Sequence, residues 1–273
     1  MLKAGPLGRR PFGPKIAPQV GTPAYASMFA NGEQGVVYDP SNFATMFQDR
    51  AGTVAVTAVG QPVGKILDLS GNNNHCVASS DPQRPILTFD GAHYYLAADG
   101  IDDVMVSNLI NATAFNKATV WRGMKADTTG GVGNMMFASS MTNSTGCWGI
   151  STGTYGLATD VSGASTQTTT ATASTVTSLP EVSVHSIDFA NLTNPSVAIK
   201  VWRNKVQVST ATGVGTTSSN MATNPMTLFS EASITGYMQG RLYRMVFRAS
   251  TVATALTDIN AVSDWVNANT GGY

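Results

Sequence analysis

Apolar residues in this sequence fall into short runs, with clusters of Gly, Asn, Asp and Pro between them. The runs are Gly35–Tyr38, Val63–Leu67, Pro85–Phe89, His93–Ala97, Val104–Val106, Thr119–Trp121, Asn134–Ala138 and Cys147–Ser151. Val182–Phe189, Val197–Trp202, Lys205–Val208, Met226–Ser230 and Gln239–Phe247 continue the series. Runs of this length, spaced by roughly 8–15 residues with turn signals between them, predict an all-β sandwich or barrel. Alternation is clearest in Val197-Ala198-Ile199-Lys200-Val201-Trp202. Successive strand side chains point to opposite faces, so Val197, Ile199 and Val201 are expected on one buried face. Trp202-Arg203-Asn204-Lys205-Val206 predicts a hairpin with Asn204 at positive φ. Leu242, Met245 and Phe247 lie in a late strand among Arg241, Arg244 and Arg248, and no single apolar face emerges there.

Two segments carry helical spacing instead. Asp39-Pro40 is a start signal, followed by Phe43, Met46 and Phe47. Near the C-terminus Leu256, Ile259, Val262 and Val266 form one stripe with Trp265 beside it, and Asn269-Thr270-Gly271 ends it. Both stripes are core-packing faces. From Ser162 to Ser178 the sequence is nearly all Thr, Ser and Ala, which suits an edge strand, a long hairpin or a loop.

The first 34 residues read differently. Pro6, Pro11, Pro14, Pro18 and Pro23 recur through a stretch almost without periodicity. Proline fixes φ and removes backbone donors, so an extended arm is expected over residues 1–34, with the sandwich over 35–273. Lys3, Arg9, Arg10 and Lys15 make the arm basic, with no acid before Glu33. Leu7 and Phe12, with Leu2 and Ile16, give it apolar side chains to bury. It reads either as a solvated tail or as an anchor that orders on a partner protein, and the apolar residues favour the anchor.

Composition narrows the class. Charged residues are 12% of the 273, about half the usual share of a soluble domain, and the formal net charge is +0. That balance gives no electrostatic case for a nucleic-acid partner or an acidic membrane. No apolar run approaches the roughly 18 residues of a membrane-spanning helix. The start, Met1-Leu2-Lys3-Ala4-Gly5-Pro6, lacks the apolar core of a secretory signal, so the protein is expected either in the cytoplasm or released by a route other than signal-directed secretion, such as lysis with assembled particles. Cys76 and Cys147 are the two cysteines, and their spacing leaves pairing open.

Several chemistries lack their usual motifs. Glu33, Glu181 and Glu231 are far apart, whereas a glycosidase on a sandwich is expected to set two acids two or four residues apart on one strand. His75, His93 and His185 stand outside any zinc-ligand or redox pattern. No nucleophile elbow or phosphate loop is present. The expectation is a protein that binds and does not catalyse.

Four segments, in this order, resemble the concanavalin-A-like (laminin-G-like) domains of phage and prophage virion proteins. They are Tyr38–Asp49 with Val63–Asp68, then Asp68-Leu69-Ser70-Gly71-Asn72-Asn73-Asn74-His75. The third is Arg84–Leu87 with Asp90-Gly91 and Tyr94–Asp103, and the fourth is Gly240–Arg248 with the terminal helix. The resemblance covers about residue 36 to the end and is thin between Asn108 and Asn224. It implies a jelly-roll β-sandwich with a short N-proximal helix, a C-terminal helix and an extended N-terminal arm. It also implies a tail, fibre or head-appendage protein at the particle surface, assembled in the host cytoplasm. The partners would be other virion proteins through the arm, a host-surface polysaccharide, and further copies of the same protein. A capsid decoration protein without glycan binding, and a secreted carbohydrate-binding module or glycan-active enzyme, are the alternatives.

Sugar binding would use exposed aromatics, with Tyr94, Tyr95, Trp148, Tyr155 and Tyr237 as candidates; their other reading is core packing. Trp121 and Trp202, inside strands, are expected in the core. Asp68, Asn72 and Asn74 form a turn in which the acid bonds following amides, or else ligate calcium, which relatives of this fold bind. Asp102-Asp103 likewise caps a turn or holds a metal. No cofactor is required.

Overall fold

The computed structural model describes residues 22–127, 147–153, 156–162, 167–171, 179–208, 220–230 and 237–273. At its centre is strand Gln239–Ser250, twelve residues long. On one edge it pairs antiparallel with Lys117–Ala126 along most of its length. Its other edge is shared, first by Tyr94–Asp99 and then by Gln34–Tyr38. Glu181–Asp188, Ile199–Arg203 and Val206–Gln207 extend the sheet beyond Lys117–Ala126, and Ile86–Phe89 closes the opposite side. A five-stranded sheet runs Thr227–Leu228, Met105–Ser107, Cys76–Ala78, Lys65–Ile66 and Met46–Phe47. A three-stranded sheet, Cys147–Gly153, Gly156–Ser162 and Gln167–Ala171, and a short pair, Ile110–Asn111 with Thr223–Asn224, complete the described strands. The fold is the expected all-β sandwich.

The large sheet is covered on both faces. Its inner face meets the five-stranded sheet through Val36, Tyr38, Leu96, Val120, Met124, Leu242, Met245 and Phe247, packed with Met46, Ile66, Cys76 and Met105. Its outer face carries Val37, Trp121, Val184, Trp202 and Val246 against Ile259, Val262, Trp265 and Val266 of helix Leu256–Asn267. Trp121 and Trp202 are therefore core residues, as expected, and Trp121 Nε1 donates to Ile259 O at 3.1 Å. Gly123 lets the end of the helix approach: a Cβ there would lie 1.9 Å from Thr270 Oγ1.

Two buried faces account for the irregular pattern of the late strand. A register shift falls between Leu242 and Arg244, where Tyr243 is the extra residue. A bulge of this kind reverses the parity of the residues beyond it. Leu242 faces inward before it, and Met245, Phe247 and Ala249 face inward after it. Arg244, Val246 and Arg248 then share the helix side. Arg244 stacks 4.3 Å from the Trp265 ring, donates to Trp265 O at 2.5 Å and pairs with Asp39 at 3.0 Å.

Some expectations change. The helix over Asp39–Phe47 is a single 3-10 turn, Phe43–Thr45, leading into a short strand. Asp39 Oδ1 accepts from Ser41 N at 3.0 Å, so its carboxylate closes a turn instead of opening a helix. Val197 leaves the predicted face: Pro195–Ala198 is a short α-helix and Val197 is exposed, while Ile199 and Val201 are buried. Leu256 is exposed in the first turn of the terminal helix. The predicted hairpin forms, with Asn204 at φ 48° and Lys205 at φ 66°. Within the stretch expected as an arm, Ala24–Phe29 is a 3-10 helix packed on the domain, its Tyr25 ring 4.6 Å from Trp265. Lys3, Leu7, Arg9, Arg10, Phe12 and Lys15 lie outside the described residues, as does the run Asn134–Ala138. Cys76 is a buried free thiol.

Replacing Arg244 with Ala strips a nearly buried Asp39 of its cation and the helix of its stacking partner. We expect a loss of about 3 kcal/mol, the scale of breaking a buried pair, read as a lower urea midpoint at unchanged slope.

Candidate functional site

The inner face of the large sheet is apolar except for one island. Even positions of Lys117–Ala126 and odd positions of Glu181–Asp188 and Ile199–Arg203 share this face, and most are Val, Ile, Ala or Met. Within it, Ser183 stands opposite Arg122 on one side and Arg203 on the other. Glu181 is two residues before Ser183 and His185 two residues after, on the same face. Arg122, Ser183 and His185 are fully buried and Glu181 is 2% exposed.

The contacts within the island are specific. Arg122 Nε donates to Ser183 Oγ at 2.7 Å. Arg203 Nε lies 2.8 Å from Glu181 Oε2. His185 Nδ1 shares a hydrogen bond of 2.7 Å with Thr159 Oγ1, which descends from the three-stranded sheet. Among the described residues, Glu181 Oε1 and His185 Nε2 are buried without a hydrogen-bond partner. Leaving such atoms unmatched costs about 1–3 kcal/mol each.

Burial governs their ionisation. It pushes the His185 imidazole well below its ordinary value, and Arg122 adds to the effect, so the ring is neutral at neutral pH. It raises the Glu181 carboxyl against the opposing pull of Arg203 and Arg122. It lowers the Arg122 guanidinium to about 9, with Glu181 resisting, which still leaves a cation at neutral pH. The island therefore offers fixed cations, a carboxyl whose proton affinity is elevated, and a neutral imidazole.

The sequence carries a signal for this island outside any catalytic motif. Glu181-Val182-Ser183-Val184-His185 alternates polar and apolar residues. In a strand covered on both faces the polar set has to point inward, since Val182 and Val184 pack toward the helix.

The aromatic candidates are dispersed. Tyr94 and Tyr95 are neighbours on one strand and point to opposite faces. Tyr94 packs inward with Phe43 and Phe89, at ring distances of 5.1 and 4.6 Å. Tyr95 lies on the outer face against Tyr243 at 5.2 Å, with the Arg241 guanidinium 4.8 Å over its ring. Its exposure is 6%, so no open ring face is presented there. Tyr237 is half-buried, in a bridge with Ser230. Trp148 is on strand Cys147–Gly153, opposite Val161, and its side chain lies outside the described residues, as does Tyr155.

The Asp68 turn is hydrogen-bonded throughout. Oδ1 accepts from Val37 N and Ser70 N, each at 2.8 Å. Oδ2 accepts from Ser70 Oγ at 2.7 Å and Asn74 N at 3.0 Å. Asn72 and Asn74 donate through Nδ2 to Gly35 O at 3.4 and 2.9 Å. The four acceptances on Asp68 fill the lone-pair directions of its carboxylate, and the group fastens Gln34–Tyr38 to the turn. Oxygen donors of the kind calcium takes are grouped elsewhere: Asp99, Asp102 and Asp103 bring one ligand atom each within 4.8 Å of one another.

No known family profile and no curated protein matches this sequence. Solved structures match the fold. An α-L-arabinofuranosidase soaked with a cyclic sulfate inhibitor aligns at TM-score 0.58 and 11% identity, over 89% of this chain and 65% of its own. A structure titled for the dependence of botulinum neurotoxin type C cell entry on two ganglioside molecules aligns at 0.55 and 10%, over 86% and 52%. A receptor-binding domain aligns at 0.56 and 9%, over 89% and 53%. The protein spans about half to two-thirds of the length of these structures, and at such identity the likeness is one of fold.

The expectation of a protein that does not catalyse is overturned here. Arabinofuranosidases share this architecture with toxin receptor-binding domains, so the sandwich does not separate enzymes from binding modules. Acids set close together on one strand are too narrow a criterion for such a fold. An inner face gathers side chains from distant strands, as Arg122, Thr159, Glu181 and Arg203 demonstrate.

Burial pushes the Asp103 carboxyl up to about 6, and the charges of Asp99 and Asp102 add to this against a hydrogen bond from Asp99 N. The folded protein thus holds this proton more tightly than the unfolded one. Between the ordinary value of 3.8 and about 6, stability falls as pH rises, and the whole cost is present above that window. Asp103→Asn should therefore melt higher than the parent at pH 7.5 and equal to it near pH 3.5, in thermal scans across that range.

Proposed function

We propose that this protein is a glycan-binding component of a virion appendage, with the sandwich as the sugar-binding part and residues 1–21 as the docking arm. The observation that carries the sugar reading is the inner polar island, whose Glu181 Oε1 and His185 Nε2 are buried without partners among the described residues. Sugar hydroxyls both donate and accept, so one ligand class answers a carboxylate oxygen and either tautomer of a neutral imidazole. Arg203, with 14% of its side chain exposed, marks the end of the island nearest solvent. The fold supports the reading, since a neurotoxin structure described by its ganglioside interaction and one in complex with SialylT share it. The arm reading rests on composition: a basic, proline-rich stretch with Leu7 and Phe12 to bury, joined to a segment already packed on the sandwich.

One observation favours a second reading, in which the bound glycan is also cleaved. A carboxyl with elevated proton affinity, as at Glu181, is the state required of a general acid. Among the described residues the island holds no second carboxylate within hydrogen-bonding reach.

A glycan array on the full-length protein, followed by titration of the hits, tests the sugar site. Glu181→Gln and His185→Ala should each weaken binding by about tenfold or more while the fold persists by circular dichroism, the cost of a lost buried hydrogen bond. Binding that ignores both substitutions would rule the island out as the sugar site. Product analysis of the same samples reports turnover and decides between the two readings.

Deleting residues 1–21 should leave a folded, soluble sandwich that no longer joins particles. Incorporation at the parental level would end the arm reading.

A further inference from the structure

We propose that Asn31 is a site of spontaneous side-chain amide loss, and that the carboxylate it gains loosens the clasp holding the N-terminal segment to the sandwich. Asn31-Gly32 is the only Asn-Gly step in the sequence. Gly32 has no side chain to shield its amide, and it sits at φ 84° in an open turn where an added Cβ would meet nothing within 4 Å. Both residues are exposed, so water reaches them. The Gly32 N–H makes no hydrogen bond among the described residues, which leaves its nitrogen free to attack.

The chemistry needs water alone. Gly32 N adds to Asn31 Cγ, forming a new C–N bond, and its proton passes through solvent to the departing nitrogen. The bond from Asn31 Cγ to Nδ2 breaks and ammonia leaves, giving a five-membered imide. Water opens that ring at either carbonyl and yields aspartate or isoaspartate at position 31. One water is consumed and one ammonia released, with no change of oxidation state.

The surroundings give the reaction a consequence. Asn31 N donates to Glu33 Oε2 at 2.8 Å, and Asn31 Nδ2 reaches Glu33 Oε1 at 3.5 Å. Glu33 Oε1 also takes Arg248 Nη2 at 2.8 Å. The same guanidinium holds Met28 O at 2.9 Å, Val252 O at 3.3 Å and Thr254 Oγ1 at 3.1 Å. Burial alone would raise the Glu33 carboxyl, but Arg248 and the Asn31 amide hold it below its ordinary value. A carboxylate at position 31 replaces a donor with an anion beside Glu33 and competes for Arg248. Isoaspartate further lengthens the backbone and displaces the Asn31 N–H. Ala24–Phe29, held by Arg248 at Met28 O, is the element set loose.

Incubating the full-length protein in mildly alkaline buffer, then mapping peptides for amide-to-acid conversion and isoaspartate, tests the site. Conversion at Asn31 should outrun that at every other asparagine, and Asn31→Gln, which must close a larger ring, should be inert there. Hydrogen exchange then tests the consequence. Amides of Ala24–Phe29 should exchange about tenfold faster in Asn31→Asp and in the aged parent, with the strands unchanged. Conversion at Asn31 no faster than elsewhere overturns the site. Unaltered exchange over Ala24–Phe29 in both samples overturns the loosening.

Discussion

Strand Gln239–Ser250 is hydrogen-bonded on both edges and, beyond the exposed Gln239, covered on both faces, so the side chains along it must find partners within the fold. Its inward residues join the sandwich core. Its outward residues include three arginines, and each takes an acid from a different segment. Arg241 meets Asp127 at 3.0 Å, Arg244 meets Asp39 at 3.0 Å and Arg248 meets Glu33 at 2.8 Å. The spine is thereby tied to the end of its neighbouring strand, to the Asp39 turn and to the segment preceding the first strand. Exposed ion pairs are worth little. The Arg244 and Arg248 pairs are largely shielded, unlike that of Arg241 with the exposed Asp127, and their guanidiniums also carry hydrogen bonds to Trp265 O and Met28 O, so they fix position as well as charge.

The same two-faced burial makes the inner island costly. Arg122 and Glu181 lose their hydration, and their mutual attraction with Arg203 recovers that loss only in good geometry. A core built for stability alone would place Val or Ile at these positions, as it does at Val120, Val201 and Ile187 on the same face. Polar residues kept in such a place, with shifted proton affinities and unmatched atoms at Glu181 and His185, are the pattern by which sites are recognised.

How much of this is legible in the sequence depends on how local each feature is. The hairpin at Asn204-Lys205 and the terminal helix depend on neighbouring residues, and both are readable. The Asp68 turn is readable as well, although its bond to Val37 N joins residues thirty-one apart. The late strand is not, because the bulge at Tyr243 reverses its parity and both of its faces are buried. The Phe43–Phe47 spacing mimics a helix because Phe43 packs on the core from a single turn and Met46 from the strand after it. The island is half legible: its Glu-Ser-His alternation is written in the sequence, but Arg122, Thr159 and Arg203 join it only through register and the packing of one sheet on another.

The tyrosines and the island make different demands on a ligand, and that difference is why the proposed site is the island. A ring that stacks on sugar needs a free face. Tyr95 has none, since Tyr243 and Arg241 already occupy its surroundings, and Arg241 is itself held by Asp127. Recruiting Tyr95 would mean breaking a satisfied cation–aromatic contact for another of similar strength. At the island the exchange runs the other way. His185 has a bond at Nδ1 and none at Nε2, and Glu181 has a cation at Oε2 and no donor at Oε1 among the described residues. A hydroxyl that reached either buried atom would break no existing hydrogen bond there and would remove a standing penalty. Affinity from polar contacts is gained where the protein's own groups are unmet, and within the described residues of this face that condition holds at Glu181 and His185.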